Sequence, residues 1–563
     1  MSIPGLRGAH PWHWSRALVG SLRPPQGDPL EQDSLGAGLG RRSARGAAST
    51  VLGQWSRFVL QMLSTVVLAR LINPEQYGLV GMVVAIVGVG DALTNVGLSQ
   101  ATVQRKDITQ PHVTLFFWLQ VAVGAALTGL TMLGAGLLAG FYGHPELVAI
   151  TLALAPTFLL NALSAQHQAV LSRQMRFGVL ALIDVVGLAL GVTVAIVMAA
   201  EGAGVWSIVE LTLSVPVCRV VMSWYASGWS PGRPQAVPGS AQMVKFGLNL
   251  TASNVLDYSA QNVDNVLIGR FYGAGALGLY SRAYGLLLLP IRQVTAPLAR
   301  VAVPVLSYLM DQPDRYRRFY RVALSAVAYA SLPIILGTAA LSPQVVAIML
   351  GPQWAGAAPI FEILAAGGVL VSLRSTNGWL FVSSGHTGRQ ALWALANRPV
   401  IIGGIVAGLP FGTKGVAWGF VVAHVILFVP SFLISIAGTP VRGADIWQSL
   451  WRPVSLGAAI FVVARAIAMS MHAPDAVVVL VAVGVCGIMT VALVLVWPAM
   501  RGDLVALREA LGSARRGGGS GLGGEPGFTD GAGLPGDAGP TVEELPSGVH
   551  LAHGTGGGQG RHG

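Results

Sequence analysis

Residues Leu180–Ala200 read LALIDVVGLALGVTVAIVMAA, with Asp184 as their one charged group. A helix needs about 20 mostly apolar residues to cross the hydrocarbon core of a bilayer, and this run has that length. It lacks the alternation of polar and apolar residues that marks a strand of an outer-membrane barrel. A backbone inside lipid must satisfy its own hydrogen bonds, so a continuous apolar run reads as a helix. Similar runs recur on both sides. Candidate spans lie at about 47–72, 78–101, 112–141, 147–171, 180–200, 203–227, 241–269, 276–305, 318–342, 356–383, 389–411, 414–437, 448–470 and 476–498. The whole chain is 53% hydrophobic and 10% charged, with a mean hydropathy of +0.63. A soluble domain carries roughly 25% charged residues, so this composition cannot clothe a water-soluble fold. The expected class is an all-α integral membrane protein with about 14 transmembrane helices.

The net charge of +11 would suit a nucleic-acid partner if it were clustered. It is scattered between apolar runs, so none is expected. With the N-terminus in the cytoplasm, one set of loops carries Arg105, Lys106, Arg173, Arg176, Arg233, Arg315, Arg317, Arg318, Arg321, Arg389 and Arg442. The opposite set carries Arg270 and Lys414, with Arg70 at an edge. This bias is the positive-inside pattern and predicts both termini on the cytoplasmic side. Residues 1–45 read as a disordered basic arm without a signal peptide, and 512–563 as a disordered Gly-rich cytoplasmic tail. Cys218 and Cys486 sit in apolar runs and offer neither a disulfide framework nor a zinc site. There is no phosphate-binding GxxxxGK[ST] loop, HExxH or GxSxG, and no large loop domain. No catalytic residue, metal site or cofactor is therefore expected, and the chain reads as a transporter rather than an enzyme.

An internal repeat organises the spans. Val67-Leu68-Ala69-Arg70-Leu71 matches Leu267-Ile268-Gly269-Arg270-Phe271, and Gly78-Leu79 matches Gly278-Leu279, both 200 residues on. Gly204-Val205 likewise matches Gly415-Val416. Six spans thus recur as the next six, in the same orientation, which is a parallel repeat. Two six-helix lobes are expected, at 46–228 and 241–438, followed by two additional helices at 447–498.

The repeat exposes a polar stripe. Gln54, Arg57, Gln61 and Ser64 share one face of the first span, and Asn254, Asp257, Gln261 and Asp264 hold the equivalent face of the seventh, joined by Asn262. Charges at mid-bilayer face a partner or a water-filled cavity, so these faces are expected to line a cleft between the lobes. Arg57 and Asp257, opposite in sign at equivalent positions, are expected to meet across it; the plainer alternative is that each pairs within its own lobe. Arg282 and Arg292 lie in the neighbouring span and complete the candidate cleft, while Asp91 is a further candidate. Arg219, Arg300 and Arg374 are read as snorkelling to the interface.

Four stretches in order carry a resemblance. Leu68-Ala69-Arg70-Leu71-Ile72-Asn73-Pro74-Glu75-Gln76-Tyr77-Gly78-Leu79-Val80 resembles the ARLLxPxxFGLV stretch of Wzx-type bacterial polysaccharide flippases. Asn95-Val96-Gly97-Leu98-Ser99-Gln100-Ala101 with Gln104-Arg105-Lys106 is similar to their GLxxAxxQRK segment. Leu171-Ser172-Arg173-Gln174-Met175-Arg176-Phe177 is similar to LxRxMxF, and Asp264-Asn265-Val266-Leu267-Ile268-Gly269-Arg270 with Leu277-Gly278-Leu279-Tyr280 to DxxLIGRxxGxxxLGxY. The resemblance spans about 47–440. It implies the multidrug, oligosaccharidyl-lipid and polysaccharide exporter superfamily, with a V-shaped pair of lobes and alternating access. The implied cargo is an oligosaccharide repeat unit on polyprenyl pyrophosphate, moved to the outer leaflet of the bacterial cytoplasmic membrane. Membrane lipid, a polysaccharide polymerase and glycosyltransferases are the implied partners. The cleft amides would suit sugar hydroxyls, an Arg fork among Arg57, Arg282 and Arg292 would suit the pyrophosphate, and Asp257 or Asp264 would suit a coupling ion. The rivals are a cation-coupled exporter of drugs or small metabolites, a peptidoglycan-precursor flippase, and a membrane glycan polymerase or ligase.

Overall fold

The computed structural model describes residues 39–502 except 95, 96, 106, 107, 236, 238, 239 and 499. The side chains of 39–49, 51, 91, 92, 94, 241–243, 245–250, 252–254, 256 and 257 also lie outside the description. All regular structure among the described residues is helical. In chain order the helices are α1 (Leu39–Leu71), α2 (Pro74–Thr94), α3 (Leu98–Gln104), α4 (Gln110–Tyr142), α5 (Leu147–Leu154), α6 (Thr157–Arg173), α7 (Phe177–Ala200), α8 (Val205–Ser227) and α9 (Ser240–Tyr308). There follow α10 (Pro313–Ala340), α11 (Ser342–Met349), α12 (Ala357–Arg374), α13 (Asn377–Ser383), α14 (Thr387–Gly408), α15 (Gly412–Ile436), α16 (Gly443–Ser470) and α17 (Asp475–Val496).

Ten helical stretches among the described residues are long and apolar enough to cross a membrane. Two of them, Tyr258–Tyr308 and Thr387–Ile436, run for 51 and 50 residues, each long enough to cross twice at about 20 residues a pass. The protein is thus a multi-pass helical membrane protein. The expected span at 147–171 is a broken helix, α5 then α6, interrupted at Pro156, whose ring nitrogen has no proton to give the ladder. The span expected at 356–383 breaks between Arg374 and Asn377. The spans expected at 241–269 and 276–305 form the single long α9, whose backbone departs from helical angles at Gly273, at φ 79°. Only glycine enters that region without steric cost. α1 begins at Leu39, inside the stretch read as a disordered arm; residues 1–38 and the tail 512–563 lie outside the described residues.

α1 lies against α7, and α7 against α8. In the second half α14 lies against α15, where Gly404 faces Gly419 and Gly408 faces Gly415 backbone to backbone. Small residues let helices approach this closely in a medium where burying apolar surface gives no drive. α2 runs along α9, so the first half and the second share one apolar core that includes Leu68, Ile72, Tyr77 and Val83 with Ile268, Leu277, Tyr280 and Trp354. α16 packs on α10 and carries α17 beside it. Asp445, at the start of α16, takes both Nε and Nη2 of Arg317 at 2.9 and 3.1 Å and the backbone N–H of Arg442 at 2.9 Å.

Candidate functional site

The stretches matched across the 200-residue offset meet in the fold. A Cβ on Gly78 would stand 1.7 Å from the carbonyl oxygen of Ala274, and one on Gly278 would stand 1.8 Å from that of Pro74. The two contacts are the same contact read from either copy, since 74 and 78 map onto 274 and 278. Bonds between chain segments nearly 300 residues apart surround this point. Gln353 Nε2 donates to the carbonyls of Ala69 and Ile72, and Trp354 Nε1 donates to Ala69 at 2.7 Å. Arg70 donates to the carbonyl of Ile348 at 2.9 Å. The counterpart of Arg70, Arg270, lies over the Phe141 ring at 5.7 Å. Arg282 lies 3.9 Å over the ring of Tyr77, which also meets Trp354 edge-on. Further along α2, the Tyr258 hydroxyl donates to the carbonyl of Val84 at 3.0 Å, opposite Gly88.

The polar stripe divides into two layers. Gln54 is half-buried and Arg57 and Gln61 are exposed on α1, and Gln261 is exposed on α9. Ser64 and its counterpart Asp264 are both buried. Asp264 accepts the Tyr280 hydroxyl at 2.9 Å and the backbone N–H of Asn265 at 2.8 Å. This places it in packing rather than on the open face that the spacing assigned to it. Asn262 donates to the carbonyl of Tyr258 at 2.9 Å and accepts from Asn265. Arg292 is exposed. The side chains of Asn254, Asp257 and Asp91 lie outside the described residues.

Arg57 has a partner in its own half. Its Nη1 stands 2.6 Å from Asp184 Oδ2, and the other carboxylate oxygen takes Arg219 Nε at 3.0 Å. α1 and α7 reach this distance because Gly53 seats on Ala181, one turn away. Of the two arrangements open for Arg57, the local pairing is present, with Asp184 as an anion; Asp257, the partner expected across the cleft, lies outside the described side chains. Arg219, read from the sequence as snorkelling, is part of this cluster. Two guanidiniums on one carboxylate leave an excess of one positive charge, and Arg57 retains 47% side-chain exposure. The cluster can therefore still attract an anion.

Asp184 and the Gln353–Trp354 pair are the features that spacing missed. Asp184 stood out only as a lone charge in an apolar run. Gln353 and Trp354 lie in a connecting segment with no periodicity to flag them, and their partners are backbone carbonyls, which leave no mark on a sequence.

The family model described as "Polysaccharide biosynthesis protein" matches residues 67–359, just over half of the chain. The chain belongs to this family. The match covers the repeat junction, from the end of α1 through α9 to Gln353 and Trp354. Among curated relatives, the chain is 25% identical to the lipopolysaccharide biosynthesis protein WzxC of Escherichia coli, over 72% of this chain and 84% of that one. It is 25% identical to the teichuronic acid biosynthesis protein TuaB of Bacillus subtilis, over 67% and 78%. It is 24% identical to the succinoglycan biosynthesis transport protein ExoT of Rhizobium meliloti, over 78% and 89%. Among solved structures, the fold resembles a lipid II flippase, MurJ, in an inward closed conformation, with a TM-score of 0.64 at 14% identity over 79% of this chain and 98% of that one. An inward-facing multidrug transporter of the MATE family gives a TM-score of 0.54 at 16% identity, over 68% and 95%.

Proposed function

We propose that this protein is a flippase. It carries oligosaccharide repeat units linked to polyprenyl pyrophosphate from the cytoplasmic to the outer leaflet, for export of a cell-surface or extracellular polysaccharide. The observation that carries this reading is the alignment, over most of its length, with relatives named for three different polysaccharides, on a fold like that of a lipid II flippase.

In this reading the chain crosses the bacterial cytoplasmic membrane fourteen times, with both termini cytoplasmic. Twelve crossings form two six-helix lobes, at 46–228 and 241–438, and the last two are α16 and α17. The count is supported by the two double-length stretches and by α1 and α2, which are less apolar or shorter than the ten long stretches. The joined ends of the repeats close the outer side, and the cleft opens to the cytoplasm. Gln54, Arg57, Gln61, Asn254, Asp257, Gln261 and Asn262 line it, with Asp264 behind them and Arg282 and Arg292 on the adjoining helix. The amides serve sugar hydroxyls. The surplus charge of the Arg57–Asp184–Arg219 cluster serves the pyrophosphate, since an Arg fork matches phosphate oxygens. A polymerase and glycosyltransferases are the partners that consume and supply such a cargo.

The test is deletion of the gene in its own host, followed by location of the lipid-linked oligosaccharides. Repeat units held on the cytoplasmic leaflet, with exported polysaccharide lost, is the expected result. Unchanged export with small cationic drugs building up inside the cells would replace this reading with a multidrug exporter, the function named for the second fold neighbour.

A further inference from the structure

A cavity of about 350 Å³ lies within the second half of the chain, away from the α1–α9 stripe, between α12, α13, α14 and α15. It opens where the glycine contacts of α14 and α15 end. Above it Gly404 and Gly408 hold the two helices together; below, Asn397 and Trp393 of α14 and His424 of α15 line the space. Its volume is at the low end of the ~300–1,000 Å³ range of small-molecule pockets.

The lining carries polar groups with nothing to bind. Arg374 makes no hydrogen bond or ion pair among the described residues, and its Nε is buried without a partner. It does not lie at the end of its span, because α13 continues past it to Ser383. The sequence reading of Arg374 as a snorkelling residue therefore gives way to a cation on the wall of an open-mouthed cleft. Asn377, 6% exposed, has an orphaned buried Oδ1 on the same wall. The Nδ1–H of His424 donates to the carbonyl of Phe420 at 2.8 Å, which leaves Nε2 as the free nitrogen of the ring. Gln390 and Asn397 line the cavity as well, and neither has a side-chain hydrogen bond among the described residues. A half-buried cation whose Nε lacks a partner and a buried amide oxygen without one both cost free energy, and a ligand that supplied the missing groups would recover it.

We infer that this cavity binds a sugar bearing a carboxylate, a uronate or a similarly acidic pyranose. Arg374 pairs with the carboxylate in a forked, charge-assisted contact. Asn377, Gln390 and Asn397 each offer a donor and an acceptor, which is what neighbouring ring hydroxyls require. Trp393 supplies an apolar face for the C–H side of the ring. One unpaired cation matches a monoanion better than a pyrophosphate, which carries more charge than Arg374 alone can balance. The inference rests on the flippase reading for its biological sense, because it makes this site a sensor of acidic sugars in the repeat unit.

The full chain, purified into nanodiscs of neutral lipid, can be tested by ligand-observed NMR with sodium glucuronate, glucose and inorganic phosphate as separate probes. Glucuronate is expected to give a saturation-transfer signal at least fivefold above glucose and to resist competition by equimolar phosphate. Arg374→Gln should abolish that preference and Arg374→Lys should keep part of it. Trp393→Ala, on a half-buried position, should lose the glucuronate signal without touching the cation. Equal glucuronate signals in the wild type, Arg374→Gln and Trp393→Ala would overturn the inference, as would full displacement by phosphate, which would indicate a general anion site. If Arg374→Gln does not fold, the Trp393→Ala result decides alone. Because the assay measures binding only, its failure leaves the flippase reading to the deletion strain, and failure there leaves the binding result intact.

Discussion

Gly78 and Gly278 occupy equivalent places in the two repeats and make the same contact from opposite sides, Gly78 on the carbonyl of Ala274 and Gly278 on that of Pro74. The obstructing atoms in both cases are backbone, which cannot turn aside as a side chain can. Two reciprocal copies of one contact relate the matched stretches by a local two-fold axis, at the point where the proposed outer gate closes.

A side chain at either glycine should therefore hold this junction apart. Gly78→Ala and Gly278→Ala are each expected to lower polysaccharide export at least tenfold with protein levels in the membrane unchanged. An introduced cysteine at Ser64, buried in the closed arrangement, should become reactive to a membrane-impermeant thiol reagent from outside. Full export by Gly78→Val would show that the contact is not needed for the cycle.

The Asp184 cluster makes an asymmetric prediction. Arg57→Gln leaves the Arg219–Asp184 pair intact and should cost about 0.2–1 kcal/mol, the usual value for a largely exposed pair. Asp184→Asn strands two guanidiniums within the span region and should cost more, on the order of 2–3 kcal/mol. Thermal unfolding in detergent, followed by tryptophan fluorescence, measures both. Arg57→Asp combined with Asp184→Arg should recover part of what either single change loses. Recovery instead by Arg57→Asp with Asp257→Arg would restore the cross-lobe pairing.

The Arg282–Tyr77 stack ties the second repeat to the first. Tyr77→Phe keeps an aromatic face and should leave stability nearly unchanged. Tyr77→Leu removes it and should cost about 1–2 kcal/mol, the range for a partly desolvated cation–π contact. Equal melting temperatures for the Phe and Leu variants would mean that Arg282 is held by something else.

Asp264 is a carboxylate in a packed setting, and its hydrogen bonds predict a structural role. Asp264→Asn keeps an acceptor for the Tyr280 hydroxyl, whereas Tyr280→Phe removes the donor; each should cost about 1–2 kcal/mol. The double variant should cost less than the sum, because both changes act on one bond, weakened by the first and removed by the second. A complete loss of export by Asp264→Asn in a protein of unchanged melting temperature would instead give this carboxylate a part in ion coupling.

Much of this molecule was legible from spacing alone. Leu180–Ala200 announces a membrane helix because the bilayer imposes one length and one way of satisfying the backbone, and those constraints act on every span separately. The match of Val67–Leu71 with Leu267–Phe271 was legible because it is an order along the chain, and the fold brings Gly78 and Gly278, just past those stretches, into reciprocal contacts. Pairing is a different matter. Which anion Arg57 meets depends on how closely α1 and α7 approach, and that distance is set by Gly53 on Ala181, not by any pattern around Arg57. Arg374 looked like an interfacial residue while its span was taken as one straight helix; the break before Asn377 and the space between α14 and α15 give it a cavity to face. Ser64 and Asp264 share the period of the cleft residues, yet they are buried, since periodicity assigns a face to each residue but not the neighbour that covers it. The sequence by itself determined the helical membrane class of the fold and the resemblance to polysaccharide flippases, because hydropathy and order are properties of the chain. Only the tertiary structure decided the reciprocal glycine junction, the Asp184 cluster and the second-half cavity, because these depend on distances between helices far apart in sequence.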